Sequence, residues 1–206
     1  MKRFCRDLSL LVALLALSGV ILPVGESIAK TGAQNESAEQ GKTLQSNQHG
    51  DTFFPVAVWY SGGKARAPML ESITADSPAM WKQDLVKIKG LGFNTVRTWV
   101  EWNVGEPEEG QYHLENLDLL LRLANEVGLR VIVQVYVDSA PEWVGKKYPD
   151  GHYAAQDGQQ IPSQAAPGYC FDHRGVRQAV LGFFQEVARH VAGSPAFYGW
   201  DLWSEP

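Results

Sequence analysis

From residue 53 onward, two kinds of apolar pattern alternate along the chain. Four short runs, rich in branched and aromatic residues, predict buried strands: 53–59, 94–100, 130–137 and 196–203. Between them, three longer segments carry apolar residues at helical spacing: 77–91, 114–127 and 175–191. The order is therefore βαβαβαβ. Near-continuous apolar strands in this order are typical of a parallel sheet covered by helices.

Two architectures satisfy this pattern, an open doubly wound sheet and a (β/α)8 barrel. No G-x-G-x-x-G follows the first strand, so the nucleotide-binding form of the open sheet has no support. The insertion 138–172 follows the third strand, where a barrel carries its active-site rim. A whole barrel takes about 250 residues. The α/β segment 53–206 would then supply only about the first four strands of a TIM barrel.

The chain starts with a pattern of its own. Basic residues are followed by an apolar run, 8–22, and by small residues at 27–29. This pattern predicts a cleaved signal peptide over 1–29 and a secreted or periplasmic protein. The alternative, a stable membrane anchor, needs about 20 apolar residues, more than this run provides. The following polar segment, 30–52, predicts a disordered leader because it cannot bury enough apolar surface.

Overall composition narrows the function classes. A hydrophobic content of 45% with 20% charged residues is that of a globular protein. The net charge of −5 argues weakly against a nucleic-acid partner, since phosphate binding needs a basic surface.

The carboxylate with the clearest chemical context is Glu205, which follows the fourth predicted strand. In a barrel, the C-terminal tip of a strand faces the mouth, and a partly buried Glu there can act as a proton donor. An ordinary turn carboxylate is the alternative. Arg97 lies inside the second apolar strand, where a buried guanidinium is costly unless a carboxylate at the same end pairs with it. Alternatively, its stem packs while its head reaches solvent.

Two further carboxylates follow predicted strands. Asp138 leaves the third strand, in position to accept hydrogen bonds from a sugar hydroxyl or to cap the following turn. The run 106–110 predicts a tight acidic turn, in which only Glu106 could face a site. Cys170, His173 and His152 offer three metal ligands without a fourth, so we predict no metal site. No cofactor-binding motif is present either.

Several segments together resemble clan-A glycoside hydrolases, most closely the family-42 β-galactosidases. The matching segments are Gly92 to Arg97, Trp102, Glu106 to Tyr112, Ala140 to Trp143, Pro195 to Trp200 and Ser204 to Pro206. The resemblance implies a (β/α)8 barrel, a carbohydrate substrate (a β-galactoside or a plant-type oligosaccharide or polysaccharide), no cofactor, and a retaining mechanism.

In that resemblance, Glu205 falls on the acid/base and Arg97 on the arginine that holds the nucleophile. The nucleophile belongs to a seventh strand, which 53–206 does not contain, so we expect this half of a barrel to be inactive by itself. Ser204 stands where the family has Asn, next to the sugar 2-hydroxyl. The Trp-Ser-Glu-Pro ending also resembles family-5 endoglycanases. An endo-acting β-glycanase and a non-catalytic carbohydrate-binding barrel are therefore the alternatives.

Overall fold

The computed structural model describes residues 53–63, 68–163 and 165–202. The predicted signal peptide 1–29 and the predicted leader 30–52 lie outside the described residues. The same is true of Ser204 and Glu205.

Four parallel strands stand side by side in chain order. They are β1 (Ala57–Trp59), β2 (Thr95–Glu101), β3 (Arg130–Tyr136) and β4 (Phe197–Asp201). A doubly wound sheet reverses its strand order at a switch point, and no reversal occurs across these four strands. The α/β fold class is confirmed, and the sequential order is that of consecutive strands in a TIM barrel.

Five α-helices connect the described strands: α1 (Ser77–Gly90), α2 (Trp102–Gly105), α3 (Glu115–Val127), α4 (Glu142–Lys147) and α5 (Arg174–Val191). A short 3-10 helix, Pro149–Gly151, lies between α4 and α5. The three long ones follow the predicted bounds to within a residue or so. Pro78 in the first turn favours the start of α1, and Gly128, with a φ of 77°, ends α3 in the left-handed region. The short helices α2 and α4 were not predicted. Among the described residues, no helix is both long and apolar enough to cross a membrane.

The two faces of the sheet differ sharply in chemistry. One face is buried across the two central strands, where it carries four valines: Val96, Val131, Val133 and Val135. Crossovers between parallel strands are right-handed as a rule, which places the connecting helices together on one side of the sheet, and the burial of these valines marks that side. The opposite face carries aromatic, amide and charged side chains. This second face, the face opposite the helices, holds the candidate site.

Candidate active site

Arg97 has the acidic partner that a half-buried arginine requires. Its Nη2 donates to the carboxylate of Asp201 at the end of β4, and the two side chains are only 25% and 15% exposed. Nη2 also lies 3.4 Å from Oε1 of Gln134 on β3. The guanidinium carbon stands 3.9 Å from the ring centroid of Trp59, which is cation–π distance. Arg97, on β2, is therefore contacted by side chains from each of the other three strands.

Aromatic rings continue this face toward the carboxyl ends of the strands. Trp99 stacks on Tyr136 with ring centroids 5.1 Å apart and an interplanar angle of 7°. The ring of Trp59 meets Trp99 edge-on, also at 5.1 Å. Flat apolar faces with polar edges suit a ligand that, like a sugar ring, combines apolar C–H surfaces with hydroxyl groups.

Two carboxyl groups lie where β2 and β3 end. Burial raises the pKa of Glu101, against the lowering effect of hydrogen bonds from Ser139 and Asn103. Burial also raises the pKa of Asp138, which lies two residues after the end of β3. Both carboxylates act on Tyr136, whose pKa is raised mainly by burial and further by Asp138 and Glu101. The site therefore favours protonated carboxyls more than water does.

Backbone hydrogen bonds join the later part of the insertion 138–172 to the residues that follow β3. The amide of Gly168 donates to the carbonyl of Asp138 at 3.0 Å, and the amide of Ala140 donates to the carbonyl of Ser163 at 3.0 Å. Tyr153 comes from this insertion, and its pKa is raised by burial, by Asp172 and by Asp138. The insertion thus brings a phenol toward the Asp138 carboxylate, in the region that a barrel uses as its active-site rim.

His152 in this insertion and His173 directly after it make local structural contacts. His152 lies 2.6 Å from the hydroxyl of Tyr169 through Nε2 and 2.9 Å from the carbonyl of Ile161 through Nδ1. Nδ1 of His173 accepts from the amide of Val176 at the start of α5. Among the described residues, no group of three or more His, Cys, Asp or Glu side chains is arranged to hold a metal ion.

Glu106 does not face this site. Its carboxylate is buried, accepts from the indole Nε1 of Trp102 at 2.8 Å and accepts from the amide of Gly110 at 2.9 Å. Trp143 donates its indole N–H to the Glu106 carbonyl at 3.0 Å. Glu106 therefore fixes the turn after α2 from inside, which is a structural role.

The sequence analysis selected Arg97 and Asp138 as candidates but assigned no role to Asp201 or Glu101. The signal that could have found them is the two-residue period of a strand. Arg97, Trp99 and Glu101 alternate with buried residues along β2, which marks them as one face. Asp201 ends an otherwise apolar strand in which partly buried residues alternate with exposed ones, and it belongs to the partly buried set.

Asp138→Asn is expected to stabilise the fold at neutral pH. The pKa of Asp138 is raised in the folded state, so the ionised carboxylate opposes folding above that pKa, and the cost disappears as pH falls through it. The gain in melting temperature over the parent protein should therefore be present at pH 7 and shrink toward about pH 4, the ordinary range of an Asp carboxyl. Thermal melts across this range measure it. A variant less stable than the parent at pH 7 would contradict burial as the dominant influence.

Comparisons with known proteins agree with this architecture. Residues 74–206 match the family model of glycoside hydrolase family 42, described as beta-galactosidase. The chain is 25% identical over 126 residues to beta-galactosidase Bga of Halorubrum lacusprofundi, covering 61% of this chain and 18% of that protein. It is 42% identical over 66 residues to a beta-galactosidase of Macaca fascicularis, covering 31% of this chain and 10% of that protein.

A solved structure extends the likeness to three dimensions. It is a catalytic mutant of a GH42 beta-galactosidase from G. stearothermophilus, with a TM-score of 0.56 and 26% sequence identity. The match covers 64% of this chain and 19% of that chain. The matched segments thus cover less than a fifth of the length of each of these three relatives. With the family model matching residues 74–206, this chain belongs to glycoside hydrolase family 42, the beta-galactosidase family.

Proposed function

We propose that the protein containing this chain is a retaining glycoside hydrolase that cleaves β-galactosides. The observation that carries the proposal is the convergence of half-buried carboxyls, aromatic rings and a paired arginine on the face opposite the helices. Glu101 and Asp138 stand there at the carboxyl ends of β2 and β3, and Arg97 is bound to Asp201 at the end of β4. This is the edge at which barrel enzymes carry out their chemistry.

Glu205 is the general acid/base of this proposal. It follows Asp201, the last residue of β4, by four positions in the sequence. In the first step Glu205 gives its proton to the glycosidic oxygen while a second carboxylate, supplied by residues other than these 206, attacks the anomeric carbon. In the second step Glu205 takes a proton from the water that releases the sugar. Retention requires the two carboxyl groups to stand about 5–5.5 Å apart.

The other residues of the site bind and orient the sugar. Asp138 accepts a hydrogen bond from a sugar hydroxyl, and its half-buried position strengthens that bond relative to one in water. Ser204 can donate to the sugar 2-hydroxyl with its shorter side chain, where the family has an amide. Arg97 supplies positive charge that stabilises the attacking carboxylate in its ionised form.

The proposal is tested with the complete gene product that contains these 206 residues. It should hydrolyse aryl β-galactosides, and NMR during the first turnovers should show β-galactose before mutarotation produces the α form. An aryl β-glucoside is the matched control for the sugar, because the two substrates share the leaving group. First-formed α-galactose would contradict retention. Internal cleavage of a β-glycan without aryl β-galactoside hydrolysis would favour the endo-acting alternative.

We also propose that the protein is exported through the segment 1–29. The basic start, the apolar run 8–22 and the small residues at 27–29 support this role. N-terminal sequencing of protein recovered outside the cytoplasm is expected to begin near Lys30. A mature protein that retains Met1 would contradict cleavage.

A further inference from the structure

We infer that Asp201 is a positioning residue of the proposed glycosidase, which acts by holding Arg97 in one orientation. The inference rests on the proposed function and adds to it a residue to which sequence reasoning gave no role. Asp201 reaches its partner across an intervening strand. β3 pairs with both β2 and β4, and the carboxylate of Asp201 still binds Nη2 of Arg97.

The sheet register explains how two residues on non-adjacent strands can meet. Arg97 is opposite Ile132 on β3, whereas Asp201 is opposite Gln134, two residues farther toward the carboxyl end. The long side chain of Arg97 therefore extends toward the carboxyl ends of the strands to reach the carboxylate. Gln134 accepts from the same Nη2 on the way, and the indole of Trp59 covers the guanidinium. Each of these contacts favours the single orientation that the Arg97 side chain adopts.

The contacts with Trp59 and Gln134 would hold Arg97 weakly without Asp201. A 3.4 Å bond to a neutral amide and an indole face do not neutralise a guanidinium that is three-quarters buried. Nε of Arg97 is buried and has no hydrogen-bond partner among the described residues, so the group keeps donor capacity for another acceptor. Asp201 fixes the position of Nη2 and thereby determines the direction in which the Nε N–H of Arg97 can donate.

Loss of the Asp201 charge would also change the electrostatics of the face. The same face also carries three titratable groups toward the carboxyl ends of the strands: Glu101 on β2, Tyr136 on β3 and Asp138 after β3. Replacing Asp201 with a neutral residue leaves the positive charge of Arg97 unbalanced on this face. Positive charge favours ionised carboxyls, so an acid that must be protonated for catalysis would lose its proton at lower pH.

The test is a double-mutant cycle in the complete gene product, with kcat/KM on an aryl β-galactoside as the readout. The variants are Asp201→Asn, Arg97→Gln and the two combined. Asp201→Asn is expected to lower kcat/KM roughly 10- to 100-fold, as misplacement of a site group does. It should also move the basic limb of the pH–rate profile to lower pH. If Asp201 acts through Arg97, the double variant should be no slower than Arg97→Gln alone.

Asp118→Asn is the matched control, because it removes a carboxylate that pairs with His190 away from the site. It should leave kcat/KM and the pH profile unchanged. Losses that multiply in the double variant, or a basic limb that stays in place in Asp201→Asn, would overturn the inference. If Asp201→Asn fails to fold, the double variant, which retains no unpaired charge, is compared with Arg97→Gln alone. Equal rates support the inference and a further loss overturns it.

Activity of the parent protein distinguishes failure of the proposed function from failure of the role assigned to Asp201. Absence of β-galactoside hydrolysis by the parent protein overturns the proposed function and, with it, the role of Asp201. Hydrolysis by the parent protein together with multiplying losses overturns only the role of Asp201.

Discussion

Replacing Glu205 with Gln is expected to slow hydrolysis of β-galactosides with poor leaving groups by about 10²- to 10⁴-fold, the usual contribution of a general acid. An alkoxide leaves slowly unless it is protonated as the bond breaks, and Gln cannot supply that proton. A dinitrophenolate leaves readily without help, so the first step with an activated aryl galactoside should be much less affected. The ratio of the kcat/KM values for the two kinds of substrate is therefore more informative than either value alone, because kcat/KM reports on the first step.

The complete gene product is assayed with an alkyl and a dinitrophenyl β-galactoside. Glu126→Gln serves as the control, because Glu126 is an exposed carboxylate on α3 that pairs with Lys82 and Arg122. It should leave both rates as they are in the parent protein. An equal loss on both substrates in Glu205→Gln would show that Glu205 is not the general acid.

The largest loss of stability is expected from Trp102→Ala. Trp102 is fully buried and touches the rings of Trp143 and Phe183, with centroids 6.0 and 6.3 Å away. Removing an aromatic side chain from a packed interior costs about 3–5 kcal/mol, because the transfer free energy is lost and a cavity remains. Urea unfolding of parent and variant measures the difference in free energy of unfolding.

Trp102→Phe separates packing from hydrogen bonding at the same position. Phe retains most of the ring contacts but has no N–H for the Glu106 carboxylate, which keeps its bond from the Gly110 amide. A buried acceptor that loses one partner costs about 1–3 kcal/mol. The expected order of stability is therefore parent, Trp102→Phe, Trp102→Ala. A Phe variant as stable as the parent would show that Glu106 contributes nothing through the indole.

The secondary structure was largely predictable because its determinants are local. Apolar spacing located α1, α3 and α5, and runs of branched residues located β2 and β3. The first strand was predicted over 53–59 but pairs only over Ala57–Trp59. Apolar composition does not show where a ladder begins. Pro55 has no N–H to donate, and the amide of Val56 is bonded to the side chain of Asn94 instead of a strand backbone.

The site was predictable only in part, because it depends on which strands lie together. The need of Arg97 for a carboxylate follows from its apolar flanks, but the identity of Asp201 depends on the register of three strands. Glu106 is the opposite case, because tertiary contacts remove it from the site. In sequence it is the one residue of the acidic turn 106–110 that could face a site, and its hydrogen bond from Trp102 assigns it to the interior. Local pattern thus selects candidates, and tertiary contacts decide between them.

The central claim, that Glu205 is the acid/base of a retaining β-galactosidase, is tested most directly by chemical rescue of Glu205→Ala. The small side chain leaves room for azide, which needs no general base to attack a glycosyl-enzyme intermediate. With a dinitrophenyl β-galactoside, added azide should increase turnover, and the product should be β-galactosyl azide. No rescue, or formation of α-galactosyl azide as expected from loss of a nucleophile, would contradict the account.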